Sequence, residues 1–163
     1  MAQYRDCKRF NLSKRETIYT AVSFGIYATI LIGLLVAGYW REVIREVGEA
    51  SRIVLIARHE GMLAGSVQLA LCTKPNALHR AEVQKLLVHT RWRRRGIGRQ
   101  LMMALDEEAR LARRTLLYRA TEPDQPAFEM YRRSGWLRAG EIPDYARTPD
   151  GELRSTVLLY RRV

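Results

Sequence analysis

Glu82-Val83-Gln84-Lys85-Leu86-Leu87-Val88-His89-Thr90-Arg91-Trp92-Arg93-Arg94-Arg95-Gly96-Ile97-Gly98-Arg99-Gln100-Leu101-Met102-Met103-Ala104-Leu105 is the stretch around which the rest of the chain is arranged. Val83, Leu86, Leu87 and Val88 form a short apolar run with β-branched ends, which reads as a mostly buried strand. An arginine cluster and two glycines follow, and then Leu101, Met102 and Leu105 recur at helical spacing. Strand, glycine turn and helix in that order bring free backbone N–H groups and the positive end of a helix dipole to one spot, which suits a phosphate. Gly96 and Gly98 let the backbone come close to an anion, and the arginines supply countercharge. A glycine pair alone also fits an ordinary strand-to-helix turn. The pattern is not the dinucleotide fingerprint, because Leu101 stands where a third glycine is needed, and no Lys-Ser/Thr follows as in a P-loop.

Working outward, 163 residues suit one domain with a single core, and 47% apolar residues fit a folded chain. The net charge is +11, and only Lys8, Lys14, Lys74 and Lys85 among the 28 basic residues are not arginine. Such an excess favours anionic partners: a phosphate-bearing cofactor, nucleic acid or a membrane surface. Cys7 and Cys72 are too few for a disulfide framework, and His59, His79 and His89 share no spacing that would hold a metal. Cys72 is expected to be a small buried residue.

Residues 1–17 form a basic segment with Arg5, Lys8, Arg9, Lys14 and Arg15. From Ile18 to Trp40 no residue is charged, and as a helix this run would span about 35 Å, enough to cross a bilayer. The other reading is a helix or helix pair packed on the domain, broken near Gly25 or Gly33 and lining a pocket with Tyr19, Tyr27 and Tyr39. Its apolar outer face would then suit a homodimer interface or attachment to a membrane. Packing on the sheet is the expectation adopted here.

Trp40–Val47 continues as an amphipathic helix, with Val43, Ile44 and Val47 inward and Glu42, Arg45 and Glu46 outward. Strands are expected over 53–58 and 65–71, joined as a hairpin through Glu60-Gly61-Met62. The 81–88 strand, a helix over 99–112, a strand over 115–120, a short helix over 127–134 and two strands over 136–142 and 156–161 complete the pattern. A turn-rich loop is expected over 143–151. Helices interleaved with strands, some paired as hairpins, indicate an α/β fold with a mixed sheet.

With its preceding strand, Arg93-Arg94-Arg95-Gly96-Ile97-Gly98 resembles the coenzyme A signature of the GNAT superfamily of N-acetyltransferases, Arg/Gln-x-x-Gly-x-Gly/Ala. The likeness runs from about Tyr39 to the C-terminus, so the GNAT-like domain is taken as 41–163. Three stretches are similar to the tabtoxin-resistance type of that superfamily. They are Lys74-Pro75-Asn76 with Arg80-Ala81-Glu82-Val83-Gln84-Lys85-Leu86, the arginine-rich turn, and Gly140-Glu141-Ile142-Pro143-x-Tyr145-Ala146 with Pro149-Asp150-Gly151-x-Leu153. The chain departs from those relatives in its fifth core strand, which ends Arg119-Ala120-Thr121 where they tend to read Leu-Asp-Thr. Residues 1–38 match neither the usual first strand nor the usual first helix.

The resemblance implies a GNAT-like acetyltransferase fold with an atypical apolar helical segment before it. It implies acetyl-CoA as co-substrate without a metal, and a small amine as acceptor, amino-acid-like or toxin- or antibiotic-like, in the cytoplasm. Leu87, Val88, Arg93, Arg94, Arg95, Gly96, Ile97, Gly98 and Arg99 would hold the cofactor, with a backbone N–H near Leu87 or Val88 on the thioester oxygen. Glu82 would be the general base and Tyr131 the acid that protonates the departing thiolate. If 18–40 were a membrane anchor, the domain would still face the cytoplasm, where acetyl-CoA is used. The competing class is a non-catalytic basic module that places Arg91, Arg93, Arg94, Arg95 and Arg99 on nucleic acid. Only Trp92 interleaves them as a stacking aromatic, and no nucleic-acid motif accompanies them.

Overall fold

Apolar residues alternate along the central strands, and in the computed structural model these residues share one face of a sheet. Residues 7–9, 30–123 and 126–163 are described. In chain order the elements are β1 (Cys7–Arg9), α1 (Ile30–Gly48), β2 (Arg52–His59), β3 (Met62–Leu71), β4 (Arg80–Val88), α2 (Ile97–Leu111), β5 (Leu116–Thr121), α3 (Pro126–Arg133), β6 (Leu137–Arg147) and β7 (Leu153–Arg162). They build one mixed sheet in the order β1-β2-β3-β4-β5-β7-β6. Among the described strands only β4 and β5 pair in parallel, with α2 as the crossover between them.

Leu55 and Ala57 on β2, Val67 and Leu69 on β3, Ala81 and Val83 on β4, Leu117 on β5 and Val157 and Leu159 on β7 form one core. Ile97, Leu101, Met102, Leu105 and Ala109, the apolar stripe of α2, close over them. Tyr131 of α3 and Trp136 belong to the same cluster. The alternate residues, Arg52, Gln68, Glu82, Gln84 and Tyr118, take the opposite face, where α1 lies. Asp106 on α2 forms an ion pair with Arg161 on β7, and the same guanidinium donates to the Ser134 carbonyl at 3.0 Å, so charge chemistry pins α2 and the end of α3 to the far half of the sheet.

Several sequence expectations change. Cys7–Arg9 is a strand paired antiparallel with Leu55–Ala57, although the basic segment showed no strand pattern; three residues held by backbone pairing need no side-chain period. Strand β6 extends past Ile142 to Arg147 where a loop was expected. Pro143 lacks an N–H and Asp144 has φ of 54°, so the chain bulges there and then re-pairs, Ala146 with Arg154 and Arg147 with Leu153. The turn is therefore confined to residues around Thr148–Gly151, whose N–H of Gly151 donates to the Thr148 carbonyl at 2.9 Å.

Helix α1 runs unbroken through Gly33. Tyr39, Val43 and Glu46 face the sheet, so Ile44 is turned out at 36% exposure and Glu46 is turned in, against the amphipathic assignment. Residues 18–29, the first part of the uncharged run, with Tyr19, Gly25 and Tyr27, lie outside the described residues. No helix among the described residues is long and apolar enough to cross a membrane.

Gly65 on β3 is where this packing is tightest. A Cβ there would stand 2.7 Å from the Leu87 carbonyl oxygen, 3.2 Å from Leu101 Cδ1 and 3.3 Å from Ile97 Cγ2. The first neighbour is backbone and cannot rotate away. Gly65→Ala is expected to destabilise the fold by about 1–3 kcal/mol, the usual range for overpacking a core. A thermal scan reads this directly, and an unchanged Tm would show that β4 shifts freely at Leu87.

Candidate active site

Strand β4 accompanies β5 for three residues only: Arg80 pairs with Leu116, Ala81 with Leu117 and Glu82 with Tyr118. Beyond Glu82, β4 continues to Val88 along β3 while β5 turns away, so a gap opens between two parallel strands. A bulge shapes the β4 side of it. The register steps from Gln68–Gln84 to Ser66–Leu87, and Lys85 takes the left-handed φ of 49°.

The open end of this gap meets the start of α2. Gly96 caps the helix with φ 79° and ψ 0°, a conformation a side chain would strain. Gln100 N–H is the first to find a helical acceptor, the Gly96 carbonyl at 3.0 Å, so the N–H groups of Ile97, Gly98 and Arg99 precede the first helical hydrogen bond. A Cβ on Gly98 would lie 3.4 Å from Met130 Sδ and 3.7 Å from Val88 Cγ2. Gly98 thus sits where the end of β4, the first turn of α2 and helix α3 converge.

The arginine-rich loop is held by Trp92, which is buried and meets His59 edge-on with centroids 4.3 Å apart. Arg91 and Arg95 lie over the Trp92 ring, their Cζ atoms 5.0 and 4.9 Å from its centroid. Arg93 Nε donates to the Val88 carbonyl at 3.2 Å. Arg93, Arg94, Arg95 and Arg99 remain exposed, as does Leu87 at 61%, while Val88 is half-buried. Ile97 is a core residue whose side chain faces the sheet. The cofactor candidates therefore gather at one end of the gap, with Ile97 contributing backbone there. Two of the five arginines of the nucleic-acid reading are packed on an indole.

Glu82 lies at the apex of the gap, half-buried, on the α1 face of the sheet. Gln84 Nε2 donates to its Oε2 at 2.8 Å. The Gln84 carbonyl oxygen accepts from Arg52 Nη1 at 2.7 Å, and the same nitrogen donates to Gln68 Oε1 at 2.8 Å. Tyr39 Oη donates to that Gln68 oxygen at 2.8 Å, and Arg52 Nε is paired with the Glu46 carboxylate. Gln68 is 2% exposed, and its Oε1 accepts two of these bonds, so helix α1 is tied to Glu82 through a buried polar chain. Lys85 Nζ lies 5.5 Å from the Tyr39 ring centroid. The Tyr118 hydroxyl, opposite Glu82, is pushed above the usual tyrosine range by burial first and then by the Glu82 charge.

Tyr131 is on the other face, fully buried, with its ring edge-on to Trp136 at 5.3 Å. Its hydroxyl accepts a hydrogen bond from Arg119 Nη1, and Arg119 Cζ stands 4.3 Å from the ring centroid. Burial pushes the phenol above the usual tyrosine range, and the Arg119 charge pulls back against it. Glu82 and Tyr131 thus lie on opposite faces of the sheet, the base candidate paired with Tyr118 at the apex of the gap and the acid candidate bonded to Arg119, the next residue of β5.

Other features lie apart from the gap. A hollow of about 470 Å³ lined by His79, Thr115, Leu116, Tyr160, Arg162 and Val163 is at the starting ends of β4 and β5, away from α2's first turn. Cys72 is a half-buried free thiol, less enclosed than expected. Among the described residues no group of His, Cys, Asp and Glu is placed to hold a metal ion.

Sequence reasoning singled out neither Arg52, Gln68 and Gln84 nor the pairing of Arg119 with Tyr131. The glutamines had a signal, since each falls on the polar beat of an alternating strand. For Arg119 the signal was its place in a strand that departs from the family's ending.

The model of the acetyltransferase (GNAT) family matches residues 30–136. Solved structures of similar fold include a ribosomal-protein-alanine N-acetyltransferase from Brucella melitensis, 22% identical, with a TM-score of 0.70 over 90% of this chain and 91% of that one. A protein from Salmonella typhimurium described as an acetyltransferase and solved with its cofactor acetyl-CoA is 18% identical, with a TM-score of 0.65 over 76% of this chain and 70% of that one. A GNAT-family acetyltransferase from Streptococcus pneumoniae is 20% identical, with a TM-score of 0.65 over 69% and 68% of the two chains. At these identities the likeness is one of fold.

Proposed function

The chain belongs to the acetyltransferase (GNAT) family, and on that premise we propose that it moves an acetyl group from acetyl-CoA onto the amine of a small amino-acid-like or toxin- or antibiotic-like molecule. The observation that supports this reading most is the gap between β4 and β5, with the α2 N-terminus at its mouth and Glu82 at its apex. The pyrophosphate would lie on the N–H groups that open α2, with Arg93, Arg94, Arg95 and Arg99 around it. The pantetheine arm would run from Val88 along the free edge of β4 toward Glu82, so that Leu87 and Val88 border its phosphate end. The thioester oxygen would then meet the β4 backbone nearer Glu82 than the N–H groups near Leu87 or Val88 first expected for it.

The acceptor would come from the α1 face. Glu82 takes the proton of the attacking amine, directly or through a water, while Gln84 fixes the orientation of its carboxylate. Amine nitrogen bonds to the carbonyl carbon, the carbon–sulfur bond breaks, and its electron pair leaves on sulfur. The thiolate then takes the Tyr131 proton. The resemblance to the tabtoxin-resistance type supports an amino-acid-like acceptor; its residues 140–153 form β6, the turn and the start of β7. A cytoplasmic place of work follows from the supply of acetyl-CoA.

Calorimetry with acetyl-CoA, followed by free-thiol release across a library of small amines, tests the reading. Saturable binding and turnover with one amine class are expected, and no binding of acetyl-CoA would overturn it. Tyr131→Phe removes only the hydroxyl. A thiolate is a fair leaving group, so kcat should fall by about 10–10²-fold, at or below the low end for general acid catalysis. Tm should fall slightly as Arg119 loses an acceptor. An unchanged kcat would remove Tyr131 from the reaction.

A further inference from the structure

Arg119 is the first residue of β5 beyond the last pair with β4, so it stands at the apex of the gap. Its side chain shares the face of Leu117, toward α2 and α3, and is half-buried against Tyr131. The hydrogen bonds it makes go to neutral oxygens, Tyr131 Oη and the Ala120 carbonyl at 3.3 Å. Its Nε is buried with no partner among the described residues. A guanidinium stays charged at any working pH, and a half-buried charge whose hydrogen-bond partners among the described residues are neutral attracts an anion.

The geometry fixes which part of the ligand arrives there, on the proposed reading that the ligand is acetyl-CoA. Its phosphates at Gly96–Arg99 lie beside Val88, the far end of β4 from Glu82. Six residue steps along the strand separate those ends, roughly 20 Å at about 3.3 Å per step, which is the reach of a pantetheine arm. The sulfur therefore comes to the apex.

We propose that Arg119 is the counter-charge of the coenzyme A thiolate: it stabilises the negative charge that forms on sulfur when the carbon–sulfur bond breaks, and orients the Tyr131 proton toward it. By donating to the phenol oxygen, Nη1 occupies one lone pair and leaves the O–H able to turn toward the sulfur. After the Tyr131 proton passes to sulfur, the phenolate rests against the same cation until solvent returns a proton. The pull of Arg119 on the phenol, against the effect of burial, agrees with this pairing.

The test titrates the thiol of free coenzyme A bound to the full chain, followed by thiolate ultraviolet absorbance, with desulfo-coenzyme A as the blank for protein tyrosines. Binding is measured separately by calorimetry. In the wild type the bound thiol should ionise at lower pH than in free coenzyme A. Arg119→Met should raise that midpoint by about one to two pH units, the size of one nearby charge in a partly solvated site. Arg119→Lys should restore part of the shift. Arg119→Gln, which keeps a donor for Tyr131 and removes only charge, replaces the methionine variant if that one unfolds. A wild-type midpoint equal to that of free coenzyme A, or one unmoved in a variant that still binds, overturns the proposal. Failure of the wild type to bind coenzyme A overturns the acetyltransferase reading instead, and this proposal with it.

Discussion

Glu82→Gln is expected to lower kcat by about 10²–10⁴-fold, the usual contribution of a general base, while leaving acetyl-CoA affinity intact. The substitution is unusually clean here. Gln84 donates to Glu82 Oε2 at 2.8 Å, and a glutamine at position 82 keeps a carbonyl oxygen to accept that bond. The chain from Gln84 through Arg52 to Gln68 and Tyr39 therefore has no reason to rearrange. Only the ability to take a proton is lost. Raising the pH should recover part of the loss, since a larger fraction of the acceptor amine is then already deprotonated. A pH–rate profile of both proteins checks this. Turnover of the variant equal to the wild type at neutral pH would show that bulk solvent or another group is the base.

The strand, the glycine turn and helix α2 were legible because local chemistry dictates them. Val83 and Leu117 fall on the apolar beat of their strands, Leu101 and Leu105 on one helix stripe, and Gly96 stands where φ must be positive. The end of the site proposed for the cofactor is made from consecutive residues, so its signature is local as well. The end proposed for the acceptor is not. Arg52, Gln68, Gln84 and Tyr39 come from four elements, and only the register β2-β3-β4 with α1 above it brings them together. No spacing in one dimension encodes that meeting. Ile44 and Glu46 exchanged their expected sides for the same reason: where α1 crosses the sheet decides which stripe is inward, and Arg52 offers Glu46 an ion pair there.

Arg119 illustrates a different limit. Within its strand an arginine between Tyr118 and Ala120 reads as a charge turned to solvent. The structure turns it to the core side instead, because it stands two residues from Leu117 and opposite Leu159, and so shares their face of the sheet. The gap is what lets a charged side chain occupy a core-facing position without being fully sealed, and it also makes that position available to a ligand.

Gly98→Asp is expected to weaken acetyl-CoA binding by about 10²-fold or more, and to do so without harming the fold. Gly96 is the poorer choice for this test, since any side chain there meets φ of 79° and confounds strain with binding. Gly98 has no such demand: a Cβ would make ordinary contacts with Met130 Sδ at 3.4 Å and Val88 Cγ2 at 3.7 Å. An aspartate in the first turn of a helix also interacts favourably with the dipole, by about 0.3–1 kcal/mol, so Tm should hold or rise. Toward the ligand the same carboxylate does the opposite. It competes for the N–H groups of α2 and places a negative charge about 5 Å from a phosphate, a repulsion of about 3 kcal/mol at an effective dielectric near 20. Because that repulsion is screened, the deficit should shrink as salt is raised. Gly98→Ala is the control, adding volume without charge, and should bind acetyl-CoA within a few-fold of the wild type. Calorimetry on the three proteins separates the possibilities: if Gly98→Asp binds as tightly as Gly98→Ala, the phosphates do not rest on the start of α2.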